Sequence, residues 1–123
     1  MTRDRVVYGA RARSSFWAEK GKSIIDEKYA SLSGIDEVYS VLGISESHFR
    51  DSFEAAFGIS PKVYLEAVQI EKAKELLFDT SLKVYEVSEK VGFKHRWAFQ
   101  RTFKKLTGLY PSKYRRTKTR TAP

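Results

Sequence analysis

Residues 84–116 read VYEVSEKVGFKHRWAFQRTFKKLTGLYPSKYRR, and residues 35–64 read IDEVYSVLGISESHFRDSFEAAFGISPKVY. Aligned at an offset of 50, the two segments share aromatic, glycine and proline positions. The matched pairs are Phe49 and Phe99, Phe53 and Phe103, Gly58 and Gly108, Pro61 and Pro111, and Tyr64 and Tyr114. Agreement at so many spaced positions indicates that one structural module occurs twice in the chain.

Both copies have the pattern of a short amphipathic helix, a turn at a glycine and a longer helix with phenylalanines four residues apart. The inward positions of the short helices are Ile35, Val38 and Leu42 in one copy and Val84, Val87 and Val91 in the other. Ser45 is the predicted N-cap of the longer helix in the first copy, which runs through Phe57 and stops at Gly58. The corresponding helix of the second copy starts near His95. Both copies are therefore predicted to be helix-turn-helix modules.

A long linking helix is predicted between the two copies. Ser60 is a suitable N-cap and Pro61 suits the first helical position. The apolar positions that follow are Val63, Leu65, Val68, Ala73, Leu76 and Leu77. A helix of about 17 residues spans about 25 Å, at 1.5 Å per residue. Because successive major grooves on one face of duplex DNA are ~34 Å apart, a stiff spacer of this kind suits a two-module DNA reader.

The sequence as a whole predicts an all-α fold of two helix-turn-helix subdomains joined by this linking helix. We expect a flexible N-terminal segment or linker over 1–13, a first module over 14–60 and the linking helix over 61–78. A second module follows over 79–116, and a disordered tail over 117–123. The first module is predicted to open with a helix over 15–30, although Gly21 disfavours it.

Composition and charge restrict the classes of function. Hydrophobic residues make up 41% of the sequence and aromatic residues 14%, as in folded globular domains. Cysteine is absent, and no stretch approaches the ~20 apolar residues of a membrane span, so we expect a cytoplasmic chain without membrane contact. A net charge of +8 indicates a polyanionic partner, which composition alone does not identify.

Neither a metal site nor a catalytic site is expected. His48 and His95 are isolated histidines in a chain without cysteine, so a four-ligand zinc site is not indicated. No glycine-flanked nucleophile or paired carboxylates stand out as catalytic groups. We therefore expect no enzyme activity and no cofactor.

Over roughly residues 24–116 the chain resembles the DNA-binding domain of the AraC/XylS family of bacterial regulators. The residues that carry the resemblance are Val84-Tyr85-Glu86-Val87, Val91-Gly92-Phe93, Phe99, Arg101, Phe103-Lys104-Lys105, Gly108 and Pro111-Ser112-Lys113-Tyr114-Arg115. The resemblance implies about seven helices, with the third and sixth entering adjacent major grooves of double-stranded DNA. It also implies transcription activation through contact with RNA polymerase, with no small-molecule effector bound by this segment.

Two single positions and one turn depart from the family pattern. Tyr39 stands where a small residue is usual, and Gln69 stands where arginine is common. The second turn reads Lys94-His95-Arg96-Trp97 instead of a serine-rich sequence, which bears on the DNA target and not on the fold. Many family members carry a separate sensing domain, so the chain is either a small stand-alone member or a fragment of a longer regulator.

The second module is the stronger candidate for DNA reading, because no acidic residue follows Lys94. A helix that starts near His95 places four side chains on one exposed face, opposite Phe99 and Phe103. These candidate base readers are Arg96, Trp97, Gln100 and Arg101. Trp97 is alternatively part of the core. The candidate phosphate contacts are Lys94, Lys104, Lys105, Lys113, Arg115 and Arg116.

The first module is predicted to be the weaker reader. Its candidate base readers are Ser47, His48, Arg50 and Asp51. Asp51 and Glu54 replace the Arg101 and Lys104 of the second copy. A carboxylate can accept a hydrogen bond from cytosine N4, but it repels phosphate.

Two other functions remain open at this stage. An RNA-binding helical protein fits the net charge, although no recognised RNA-binding module is evident. A protein-interaction adaptor that docks through the acidic first module is the other alternative.

Overall fold

The computed structural model describes the backbone of residues 2–121 and the side chains of residues 15–117. Within that part of the chain there are seven helices and no strand, which confirms the all-α prediction. The helices are α1 (Thr2–Lys28), α2 (Ile35–Leu42), α3 (Glu46–Phe57), α4 (Pro61–Leu76), α5 (Val84–Lys90), α6 (Arg96–Thr107) and α7 (Pro111–Thr121). The chain divides into two compact units after Leu65, within α4.

In the first unit, α1 packs against α2 and α3. Its buried apolar side chains are Ala18, Ile25, Leu32, Val38, Phe49, Phe53 and Leu65. Gly21 lies in the contact between α1 and α3, because a Cβ built there would be only 2.2 Å from a ring carbon of Phe49. The glycine that disfavours a helix in isolation is thus required by the packing of the helix.

Local signals fix the ends of α3. The Ser45 Oγ accepts a hydrogen bond from the His48 backbone N–H at 3.1 Å, which makes Ser45 the N-cap. Gly58 has a left-handed φ of 79° and ends the helix. The predicted start and stop of this helix are therefore confirmed. The Ser60 Oγ caps α4 in the same way, accepting from the Val63 N–H at 3.2 Å.

The second unit repeats the core of the first. The rings of Phe49 and Phe53 are 5.7 Å apart, as are those of Phe99 and Phe103. Phe53 meets Tyr64 at 5.6 Å, and the equivalent pair in the second unit, Phe103 and Tyr114, meets at 5.3 Å. Matching ring contacts at the same sequence offset confirm that one module is used twice.

The structure corrects the predicted linking helix. Val63, predicted to face inward, is 42% exposed, because the buried face of α4 follows Pro61, Leu65, Gln69 and Ala73 at intervals of four residues. Gln69 thus occupies an inward position, although it is polar. The α4 helix ends at Leu76 and not at residue 78. An Asp79 side chain that accepts from the Ser81 N–H at 3.0 Å forms the turn that follows.

The terminal helices are longer than predicted. The α1 helix starts at Thr2 and includes the segment 2–13, for which the sequence predicts flexibility. The α7 helix continues to Thr121, into the expected disordered tail. Side chains before residue 15 and after residue 117 lie outside the described residues.

Candidate nucleic-acid interface

The α6 helix carries the four predicted base readers of the second module. His95 adopts an extended backbone as the N-cap, so the helix begins at Arg96 as expected. Phe99 and Phe103 are fully buried and fix the inward side. Trp97 and Arg101 lie on the opposite side and are exposed. Arg96 precedes Phe99 by three residues and is exposed because it occupies the first position of the helix, while Gln100 is half-buried at the edge of the inward side. Because Trp97 is 62% exposed, it is available to contact DNA and does not belong to the core.

Aromatic rings contact both arginines of this surface. The His95 and Trp97 rings stack 5.9 Å apart with an angle of 19° between their planes. The Arg101 guanidinium carbon lies 5.4 Å from the centre of the Trp97 ring. The Arg96 guanidinium lies 4.3 Å from the ring of Tyr85 on α5. A cation over a ring face is attracted to the electron-rich face, so these contacts restrict both arginines.

Sequence reasoning did not identify Tyr85 as part of the surface. The sequence marks it only as part of the segment Val84-Tyr85-Glu86-Val87, which carries the family resemblance. The contact with Arg96 depends on how α5 packs against α6, which the sequence pattern does not specify.

Most of the predicted phosphate contacts are exposed, and one has another role. The exposed residues are Lys94, Lys104, Lys105, Lys113 and Arg116. Arg115 is half-buried, and its Nε donates to the Leu77 carbonyl at 2.8 Å while Nη2 donates to the Asp79 carbonyl at 3.2 Å. Its guanidinium therefore joins α7 to the end of α4. Lys104 is also engaged, since its Nζ donates to the Gly108 carbonyl at 3.0 Å.

The first module exposes its four predicted readers on α3, but its one arginine is paired with carboxylates. Arg50 Nη1 lies 3.9 Å from a Glu46 carboxylate oxygen, and its Nε lies 3.6 Å from an oxygen of Asp51. The His48 ring meets the edge of Trp17 on α1 at 6.3 Å. Exposed ion pairs contribute little to stability, yet they lower the positive potential that this surface offers to DNA.

Tyr39, the bulky departure in α2, packs beside the acidic start of α3. Its hydroxyl donates to the Glu46 carboxylate at 3.4 Å. Partial burial, and then the negative charge of Glu46, raise the pKa of the Tyr39 phenol. The phenol therefore remains protonated as the donor in this contact.

The net positive charge resides in one of the two units. Residues 1–65 contain nine basic and nine acidic residues, whereas residues 66–123 contain fourteen basic and six acidic residues. The second unit therefore carries the whole net charge of +8. The exposed arginines of α6 belong to the same unit.

The described residues contain no group of three or more histidine, aspartate or glutamate side chains suited to hold a metal ion. Among them, no helix has the length and apolar character needed to cross a membrane.

Known proteins resemble this chain in sequence and in fold. A model of the helix-turn-helix domain family matches residues 39–117. The Msm operon regulatory protein of Streptococcus mutans is 32% identical over 95 residues, which cover 77% of this chain and 34% of that protein. The lactose operon transcription activator of Staphylococcus xylosus is 31% identical over 91 residues, covering 74% and 33%. The C-terminal domain of AraT, a response regulator from Geobacillus stearothermophilus, matches with a TM-score of 0.76 and 30% identity, covering 82% and 84%.

Two helix-turn-helix modules with exposed second helices define a DNA-binding domain of a transcription regulator, not an enzyme. The chain belongs to the AraC/XylS family of transcription regulators. It spans about a third of the length of the two curated relatives named above.

Proposed function

We propose that this chain binds a specific duplex DNA sequence by inserting α3 and α6 into adjacent major grooves, with the second module dominant. The outer side of α6 is the observation that carries the proposal. Two arginines are exposed there, and they belong to the unit that carries all of the net positive charge of the chain. An α-helix fits the major groove, where each base pair offers a distinct pattern of donors and acceptors.

The α6 side chains have the chemistry for direct base reading. Arg96 and Arg101 can each donate two parallel hydrogen bonds to guanine O6 and N7. Gln100 can pair with adenine N6 and N7, and the exposed Trp97 ring suits the methyl group of thymine. Each well-formed pair discriminates by about 1–3 kcal/mol against a wrong base.

Phosphate contacts fix the orientation of the domain on DNA without reading sequence. We assign this role to the exposed cations around α6 and at the start of α7. They are Lys94, Lys104, Lys105, Lys113 and Arg116. Arg115 is left out, because its guanidinium is bonded to backbone carbonyls at the end of α4.

In this proposal the first module adds modest specificity. Ser47, His48 and Asp51 are exposed on α3, and the Asp51 carboxylate can accept from cytosine N4. Arg50 must exchange its contacts with Glu46 and Asp51 for a base, which reduces the net gain from that contact.

The regulatory outcome that we propose is activation through contact with RNA polymerase at the bacterial nucleoid, in the cytoplasm. The proposal is supported by a relative of similar sequence, which is named the lactose operon transcription activator of Staphylococcus xylosus. No small-molecule effector is assigned to this segment. Transcription from a promoter that carries the selected site, with and without the protein, tests this outcome. We expect an increase, and repression would contradict activation.

The test of module dominance compares Arg101→Ala with Arg50→Ala on a duplex recovered by selection from random sequences. Each variant is titrated at two salt concentrations. We expect Arg101→Ala to lose about 1–3 kcal/mol of binding free energy and to relax one half of the site. Arg50→Ala is expected to lose less than 1 kcal/mol, because its cation is already paired. Equal losses would contradict the dominance of the second module.

The same titration distinguishes the alternatives. General polyanion binding would give an equal loss on every duplex sequence. A protein adaptor would select no duplex at all. The acidic character of α3 makes it the expected docking surface in that case.

A further inference from the structure

The Arg96 side chain rests on an aromatic ring from a different helix. Its guanidinium carbon is 4.3 Å from the ring centre of Tyr85, and the two residues belong to α5 and α6 of the same unit. Tyr85 is half-buried, whereas Arg96 is exposed. The Lys83 Nζ lies over the same ring at a longer distance of 5.8 Å. A partly buried ring thus supports a cation that is open to a ligand.

At 4.3 Å from the ring centre, the Arg96 guanidinium is close enough to stack on Tyr85, and a stacked guanidinium keeps its hydrogen-bonding edge available. A guanidinium contacts an aromatic ring through its flat face, while its N–H donors point outward in its own plane. These in-plane donors form the two parallel bonds with guanine O6 and N7. Ring contact and base reading therefore use different parts of the group and can occur together.

The ring also limits the conformations that Arg96 adopts before DNA arrives. A long side chain loses rotamer freedom when it binds, and a contact that already restricts it reduces that loss. Trp97 and Arg101 form a comparable pair at 5.4 Å, but both of those residues lie on α6. Tyr85 provides its contact from outside the recognition helix.

We propose that Tyr85 is a positioning residue for DNA recognition, which holds Arg96 in place to read one guanine in the half-site of the second module. The inference rests on the proposed function, because it takes Arg96 as a base reader. Tyr85 itself needs no contact with DNA. Its role is to set how strongly Arg96 discriminates.

The experiment measures affinity by fluorescence anisotropy for the full chain on the selected duplex and on each single-base-pair variant of the second half-site. Arg96→Ala is expected to relax discrimination at one guanine by about fivefold to a hundredfold. Tyr85→Ala is expected to weaken discrimination at that same guanine by about twofold to fivefold. Tyr85→Phe keeps the ring and should behave as the wild type.

A double-mutant cycle tests whether Tyr85 acts through Arg96. In the Arg96→Ala background, Tyr85→Ala should cause no further loss. Replacing the guanine by 7-deazaguanine, which lacks the N7 acceptor, should weaken the wild type and leave Arg96→Ala unaffected. Circular dichroism melting of each variant identifies any loss of fold. Should Tyr85→Ala fail to fold, Tyr85→Leu, which keeps an apolar side chain but no ring, takes its place with the same expected result.

Failure of the proposed reading role of Arg96 and failure of the positioning role of Tyr85 give different results. If Arg96→Ala relaxes no base pair, the proposed reading role of Arg96 is wrong, and the positioning role of Tyr85 is overturned with it. If Arg96→Ala relaxes one guanine while removal of the Tyr85 ring changes no discrimination, the positioning role alone is overturned. Loss of equal size in both Arg96 backgrounds would also overturn it.

Discussion

Replacing Arg115 by alanine is expected to destabilise the second unit and to leave phosphate binding unchanged. The Arg115 Nε donates to the Leu77 carbonyl at 2.8 Å, and Nη2 donates to the Asp79 carbonyl at 3.2 Å. Hydrogen bonds from charged groups contribute about 1.5–3 kcal/mol each. The longer of the two is exposed to water and contributes less. We therefore expect a loss of about 2–3 kcal/mol in the free energy of unfolding.

The assay for Arg115→Ala is urea unfolding followed by the fluorescence of Trp97, in a Trp17→Phe background so that the signal comes from the second unit. Lys113→Ala is the matched control, because Lys113 is an exposed cation on the same helix. The control should keep its stability within about 0.5 kcal/mol. It should also reduce the slope of log affinity against log salt by about 1.

The opposite pattern would refute this role of Arg115. If Arg115→Ala unfolded at the wild-type urea concentration and lowered the salt slope by about 1, the residue would be a phosphate contact. The two hydrogen bonds to carbonyl groups would then contribute little to the fold.

Three further predictions concern stability. Gly21→Ala should destabilise the first unit by about 1–2 kcal/mol in thermal unfolding, because overlap with Phe49 outweighs the ~1 kcal/mol gain in helix propensity. A variant as stable as the wild type would contradict this prediction. Ser88→Ala should raise the free energy of unfolding by about 1 kcal/mol, since the buried Ser88 hydroxyl has no hydrogen-bond partner among the described residues. A clear decrease in the free energy of unfolding would show that the hydroxyl is hydrogen-bonded. Hydrogen bonds from Ser81, and then the charge of Arg115, lower the pKa of Asp79. The stability from this carboxylate is present above its unfolded pKa and is lost as the pH falls below about 4. Asp79→Asn should flatten that part of a stability–pH curve, and an unchanged curve would contradict it.

Where local chemistry decides the backbone, the sequence predicted the fold well. Ser45 and Gly58 mark the start and end of α3 because a side-chain cap and a left-handed glycine act within a few residues. The segment around Gly21 was harder, since helix propensity counts against the glycine. The reason for that glycine is its distance to Phe49, which is a property of tertiary packing.

The candidate site also contains features that the sequence pattern predicts and features that depend on tertiary packing. The exposure of Trp97 and Arg101 follows from helix periodicity once Phe99 and Phe103 are placed inward. The contact of Tyr85 with Arg96 and the bonds of Arg115 with the end of α4 join different helices. Charge and position along the chain do not distinguish an arginine that is exposed on α6 from one that bonds to a carbonyl group.

Reading of two grooves, with α6 dominant, is tested most directly by sequencing the duplexes that the chain selects from a random library. We predict two enriched blocks with centres about 10 base pairs apart, as expected for two helices one turn of DNA apart. The more strongly enriched block should lose its preference when the selection is repeated with Arg101→Ala. A single enriched block, or enrichment that Arg101→Ala leaves unchanged, would contradict reading by both modules with α6 dominant.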